Sequence, residues 1–276
     1  MDTKLPGDDA VRDFYLYVID ARNLLELAVS SADFVLHVNG VMRETWANVS
    51  EQDANDHDAG SVGSMAKLAR SEVDNGFPLL YAHNLVGLWG AFEACIGAIG
   101  ASWLAASTPG DWGDALSNLR IRIGEWMAVE ESARSEWLMD QIERAVSSDL
   151  KAGVGQFESV LTAIGLGGAA DSNVTTTLFY AKAMRNVVAH QGGRADNVFV
   201  DRCGRLNVEV GQRLQISREQ ITAIHTAMVL YSESVLDRIR LARGLPSAPP
   251  ALPPWITETS DLLTLLLPGG TSEPLA

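Results

Sequence analysis

Apolar residues recur at steps of three, four and seven from Asp9 to about Val49, where Val11, Phe14, Val18, Leu25, Ala28, Ala32 and Val35 share one helical face. The spacing predicts one long helix, with Asn39-Gly40 as its natural breaking point. Glu51 to Gly63 has no apolar period and reads as an acidic loop or linker. Ser64 to Asn75 predicts a short helix ended by Gly76. Pro78 then suits the first position of an apolar helix that runs to about Ala106 and stops before Thr108-Pro109-Gly110. Two or three amphipathic helices follow between Asp114 and Ile164, closed by Gly165, Gly167 and Gly168.

Asp171-Ser172-Asn173 is a cap signal for a helix from about Thr175 to His190, which Gly192-Gly193 would stop. Strand-like runs come next. Val198-Phe199-Val200, Leu206 to Val210 and Leu214 to Ile216 predict a small β-hairpin or meander at about 197–216. Ser217 with Gln220 forms a capping box for a last long helix to about Arg243. The Pro-rich tail from Pro246 carries one apolar turn, Leu262 to Leu267, that could dock on this chain or on a partner. The expected class is mostly α, a helical bundle with a β-hairpin insertion. Three segments are expected: 1–63, the long helix and acidic linker; 64–244, the helical domain; 245–276, the tail.

The 276 residues are 47% apolar and 20% charged, which rules out a disordered or collagen-like chain. Lys and Arg number 21 against 35 Asp and Glu, a net charge of −14, so a general nucleic-acid coat would meet phosphates with a field of their own sign. Only a locally basic site could bind a polyanion. Two cysteines and a polar, acidic start fit a reducing cytoplasm without export. Leu85 to Ala106 carries one charge, Glu93, among many Gly, Ala and Ser, and reads as a buried core helix rather than a membrane span.

The helix before the glycine pair ends Arg185-Asn186-Val187-Val188-Ala189-His190. At this composition R-N-x-x-x-H arises by chance on the order of 0.01 times. An imidazole beside a fixed guanidinium is minimal equipment for cleaving a phosphodiester without metal: His moves the proton, and Arg grips the phosphate oxygens. Geometry constrains the pair. At 100° per residue Asn186 and His190 share a face, while Arg185 and His190 lie about 140° apart. They can address one anion only if the last turn loosens or the substrate sits across the helix end. The bland alternative makes Arg185 a structural ion-pair partner and His190 a cap.

Lys182 to Arg218 carries a net +4, leaving −18 for the rest, and this positive island suits a small polyanion. Within it Lys182, Arg194, Arg202 and Arg205 are candidate phosphate contacts. Glu93 lies on a stripe with Gly90 and Gly97, and a carboxylate buried there needs a partner, for which Arg185 is the candidate.

Arg185-Asn186-x-x-x-His190, Gly192-Gly193, Ala195-Asp196 and a Glu-bearing apolar helix about 90 residues earlier together resemble the HEPN superfamily. The resemblance spans roughly Ser64 to Gly244. It implies a HEPN-like bundle and a metal-independent endoribonuclease of toxin or antiphage type, without a cofactor. The homodimer it implies lines one cleft with two Arg-His motifs, and an antitoxin or regulatory protein is a further implied partner. Arg185 and His190 would be catalytic, Asn186 the accompanying polar residue and Glu93 the supporting acid. The ribose 2′-OH would attack the adjacent phosphate, so DNA would be spared. Other members are non-catalytic modules that dock a partner or sense nucleotides, which is the alternative reading.

The remaining signals are weaker. Asp53, Asp56, His57 and Asp58 lack the spacing of a calcium or zinc site and read as a solvated linker. His37 and His83 are expected to be satisfied core histidines, and Arg218 with His225 a surface pair. Trp103, Trp112, Trp126 and Trp137 are expected to fill the core or a dimer seam.

Overall fold

The structure, a computed structural model, describes residues 4–113, 119–146, 154–248, 252, 256 and 261–268. It is mostly α-helical, and no strand occurs among the described residues. Eleven helices are described: α1 (Asp8–Ala47), α2 (Glu51–Ala59), α3 (Ser61–Asp74), α4 (Pro78–Ala106), α5 (Ile123–Ala128), α6 (Arg134–Val146), α7 (Gly155–Ala163), α8 (Ser172–His190), α9 (Asn197–Arg202), α10 (Arg218–Ala242) and α11 (Leu262–Leu266).

Helix α4 is the centre of the bundle because it is apolar nearly all round, and it packs against α1, α6, α8 and α10. Pro78 opens it, as its fixed φ favours. The Glu72 carboxylate of α3 accepts hydrogen bonds from the Leu80 and Leu79 amides, at 3.0 and 3.4 Å, and so caps α4 from a neighbouring helix. Phe14, Trp89, Phe92, Phe157 and Tyr231 bring rings from α1, α4, α7 and α10 together, with Phe92 and Phe157 edge to face at 5.3 Å.

Helix α10 starts at the expected capping box and is buried along most of its length. One half-buried ion pair ties it to α7. Arg238 donates to both carboxylate oxygens of Glu158 at 2.9 Å, and the Tyr231 hydroxyl donates to the same carboxylate at 2.7 Å. The apolar turn of the tail docks on this chain: Leu262, Leu263 and Leu266 are fully buried against α8 and α10, and Gln220 donates to the Leu266 carbonyl at 2.9 Å.

Several expectations need correction. Glu51–Ala59 is helical, not a loop, and packs on α1 and α3; the Ser50 hydroxyl accepts the Asp53 amide at 3.1 Å and supplies the cap. The side chains of His57 and Asp58 lie outside the described residues. Helix α1 runs through Asn39-Gly40 without a break.

The hairpin expected over 197–216 is replaced by α9, a short 3₁₀ turn and irregular chain. Asp196 caps α9, its carboxylate accepting the Phe199 amide at 2.7 Å, so Val198-Phe199-Val200 coils and buries Phe199. The later residues pair back on the glycine turn instead. Arg194 and Arg213 form an isolated antiparallel bridge, and Leu214 N–H donates to the Gly193 carbonyl at 2.8 Å.

Candidate functional site

The end of α8 is fixed from both directions. Its start is capped by Asp171, whose carboxylate accepts the Asn173 and Val174 amides at 2.8 and 3.2 Å. Its last turn closes through Gly192 and Gly193, both left-handed at φ 59° and 78°, with the Gly193 amide donating to the Val187 carbonyl at 3.1 Å. Val187 and Met184 anchor the inner face, which leaves Asn186 and His190 exposed and Arg185 half-buried.

Arg185 meets Glu93 of α4, as the sequence suggests. Their closest nitrogen and oxygen are 3.9 Å apart, a loose ion pair with 26% and 37% of the two side chains exposed. Arg185 Nη1 also donates to Asn186 Oδ1 at 3.2 Å, while its Nε is buried without a hydrogen bond. The guanidinium is therefore positioned on two sides. Lys182, one turn earlier, donates to Gln156 of α7 at 2.9 Å. Burial pulls the Lys182 ammonium below its ordinary proton affinity; Glu93 opposes that shift and Arg185 adds to it.

Beside Glu93 lies a hollow of about 430 Å³ lined by Glu143, Gln156, Met139 and Phe157. Burial, reinforced by Asp140 and Glu93, raises the proton affinity of Glu143. Neither Glu143 nor Gln156 carries a sequence signal, because each reaches this place only through the packing of α6 and α7.

His190 looks the other way. With Asn186, Val187, Asp196, Phe199 and Arg202 it lines a separate hollow of about 330 Å³ between α8 and α9. Within one chain the guanidinium and the imidazole thus have different surroundings, as their 140° separation requires, and Asn186 joins them by touching Arg185 and lining the His190 hollow. A third hollow, about 500 Å³, flanks the glycine pair and is lined by Glu72, His83, Gly192, Gly193 and Arg213.

The basic island is dispersed. Of the four candidate phosphate contacts, Arg202 stands beside His190 and Lys182 stands on the Arg185 side. Arg194 instead donates to the Gly211 carbonyl at 3.0 Å, and Arg205 belongs to the 3₁₀ turn after α9, near Tyr180. Arg218 pairs with Glu26 of α1.

The other histidines depart from expectation. His37 and His83 are exposed, and His225, expected at the surface with Arg218, is fully buried with Nε2 at 3.0 Å from Asn84 Oδ1. Asn84 sits on α4, so an inward face of α10 meets a polar spot of the core that helical spacing alone does not disclose. Trp103 is buried and donates to the Ile164 carbonyl at 2.9 Å. Trp126 and Trp137 pack edge to face under Arg134.

Among the described residues no group of three or more His, Cys, Asp or Glu side chains is placed to hold a metal ion. Two helices, α1 and α4, are long and apolar enough to cross a membrane, and half of the apolar window of α4 is buried in the bundle. Comparison with protein-family models, with curated proteins and with solved structures gives no match.

Proposed function

We propose that this chain is a metal-independent, HEPN-type endoribonuclease that acts in the cytoplasm as a toxin or antiphage effector. The observation that carries the reading is the positioning of Arg185 by Glu93 and Asn186, five residues before an exposed His190 on a glycine-terminated helix end. The phosphate of an RNA chain would lie across that end. Arg185 holds its non-bridging oxygens from one flank, and His190, with Arg202 nearby, serves the other.

The ribose 2′-OH attacks phosphorus, its proton passes to His190 and the P–O5′ bond breaks. The protonated His190 then returns that proton to the departing 5′ oxygen, which leaves a 2′,3′-cyclic phosphate and a 5′-OH. Asn186 and Glu93 act by orienting the guanidinium. No cofactor is needed for these steps.

The test is incubation of the purified protein with total RNA in excess EDTA, beside Arg185→Ala and His190→Ala. Cleavage by the wild type alone supports the proposal. Equal cleavage by all three proteins traces it to a contaminant.

The second reading is a non-catalytic HEPN-like module that docks a partner or senses a nucleotide. It is favoured by the separate surroundings of Arg185 and His190 and by the role of the Glu93 pair in joining α4 to α8. Absence of cleavage by every sample, with the fold intact, selects it.

A further inference from the structure

Helix α1 has two apolar faces. Val11, Phe14, Val18 and Leu25 form the buried one, packed on the bundle. Roughly opposite, Leu24, Leu27, Phe34 and Val41 stand 65%, 63%, 68% and 52% exposed, with half-buried Val38 and exposed Ser31 between them. At 100° per residue these six positions fall within an arc of about 100°, centred roughly 160° from the buried stripe. Their spacing of three and four is the a/d pattern of a coiled-coil seam, held over about 27 Å of helix.

We propose that this seam pairs with the same seam of a second copy of the chain, antiparallel, about a two-fold axis between Ala32 and Asp33. In that register Leu24 meets Val41 of the second copy, Leu27 meets Val38, and Ser31 meets Phe34, so each large side chain faces a smaller one. A two-fold pairing uses one self-complementary surface on both chains and closes the assembly at two.

Charge favours this occupant over a lipid surface. Between Leu24 and Met42 the flanking positions are Ala28, Ser30, Val35, His37 and Met42, none of them a carboxylate, so two acidic chains can meet there without like-charge contact. Anionic lipid would instead face a helix with seven carboxylates and three arginines on a chain of net charge −14. The six seam side chains at roughly 60 Å² each give about 350 Å² per copy and about 700 Å² in all, and the flanking Ala28, Ser30, Val35, His37 and Met42 bring the total to about the 1,000 Å² at which a specific interface begins.

The inference is independent of the nuclease reading, since association is measured without RNA. Sedimentation and light scattering at micromolar concentration should show a dimer for the full chain. Leu27→Glu with Phe34→Glu should raise the dissociation constant at least about 100-fold while helix content stays unchanged, because both positions are exposed in the monomer. Orientation is tested by oxidation: Leu27→Cys with Val38→Cys should give a covalent dimer, and Leu27→Cys alone should not, because the native Cys95 and Cys203 are buried. A monomeric wild type, a dimer indifferent to the glutamates, cross-linking by Leu27→Cys alone, or self-association that occurs only on phosphatidylserine vesicles would each overturn it.

Discussion

Acid should unfold this protein through His225. The imidazole is fully buried between α10 and α4, its Nε2 is satisfied by Asn84, and its Nδ1 has no hydrogen-bond partner. Protonation at Nδ1 would leave a buried charge and an unsatisfied donor, with the Arg22 guanidinium adding repulsion. Burial, aided by Arg22, therefore pulls the histidine from 6.5 down to about 3. The unfolded chain takes up this proton near pH 6.5, while the folded chain does not until about pH 3. His225 thus leaves stability unchanged above pH 6.5 and lowers it progressively between those values, by about 1.4 kcal/mol per pH unit. From about pH 7.5 to about pH 4.5 the loss from this one group is about 2–3 kcal/mol.

The assay is urea unfolding at several pH values for the wild type and for His225→Gln, whose neutral amide can still donate to Asn84. Glu143 and Glu233, whose proton affinities burial raises, titrate in both proteins and cancel in the difference. The variant starts less stable at neutral pH but should lose 2–3 kcal/mol less on acidification. Parallel stability curves for the two proteins would refute the reasoning.

Three more outcomes follow from the packing. Arg238→Met leaves the half-buried Glu158 carboxylate beside Tyr231 without its cation and should cost about 2–3 kcal/mol by urea unfolding, whereas Tyr231→Phe, which keeps the ion pair, should cost about 1 kcal/mol. Gly165→Ala places a Cβ 2.2 Å from the Asp111 carbonyl oxygen at a left-handed φ of 80°, so a loss above about 2 kcal/mol is expected; a loss below about 0.5 kcal/mol would show that the turn after α7 yields freely. Leu263→Ala should cost about 2–5 kcal/mol because that side chain is fully buried, and a near-neutral effect would mean that α11 is not docked in solution.

The long apolar helices are legible in the sequence because their signals are local. Pro78 and Thr108-Pro109-Gly110 bracket α4, and Ser217 with Gln220 starts α10. Two short helices escape the hydrophobic pattern because capping, not periodicity, sets them. Ser50 starts the polar α2, and Asp196 coils Val198-Phe199-Val200, whose β-branched composition otherwise favours a strand. An Asx or Ser cap signal before each run was the clue available.

At the site, the spacing of Arg185 and His190 already contains their angular separation, and the meeting of Arg185 with Glu93 follows from the need of a carboxylate for a partner. The placing of Gln156 and Glu143 beside that pair depends on how α6 and α7 cross α4, which no local pattern encodes. His225 illustrates the same limit: its helical neighbours give no sign that Asn84 of another helix waits in the core.

The nuclease proposal is tested most directly on a short RNA cleaved at one mapped linkage, compared with the same oligonucleotide carrying a single 2′-deoxyribose on the 5′ side of that linkage, in excess EDTA. The account predicts that the wild type leaves a 2′,3′-cyclic phosphate on the first RNA and spares the substituted linkage, and that Arg185→Ala and His190→Ala cleave neither. Cleavage of the deoxy-substituted linkage, or undiminished cleavage by either variant, would contradict it.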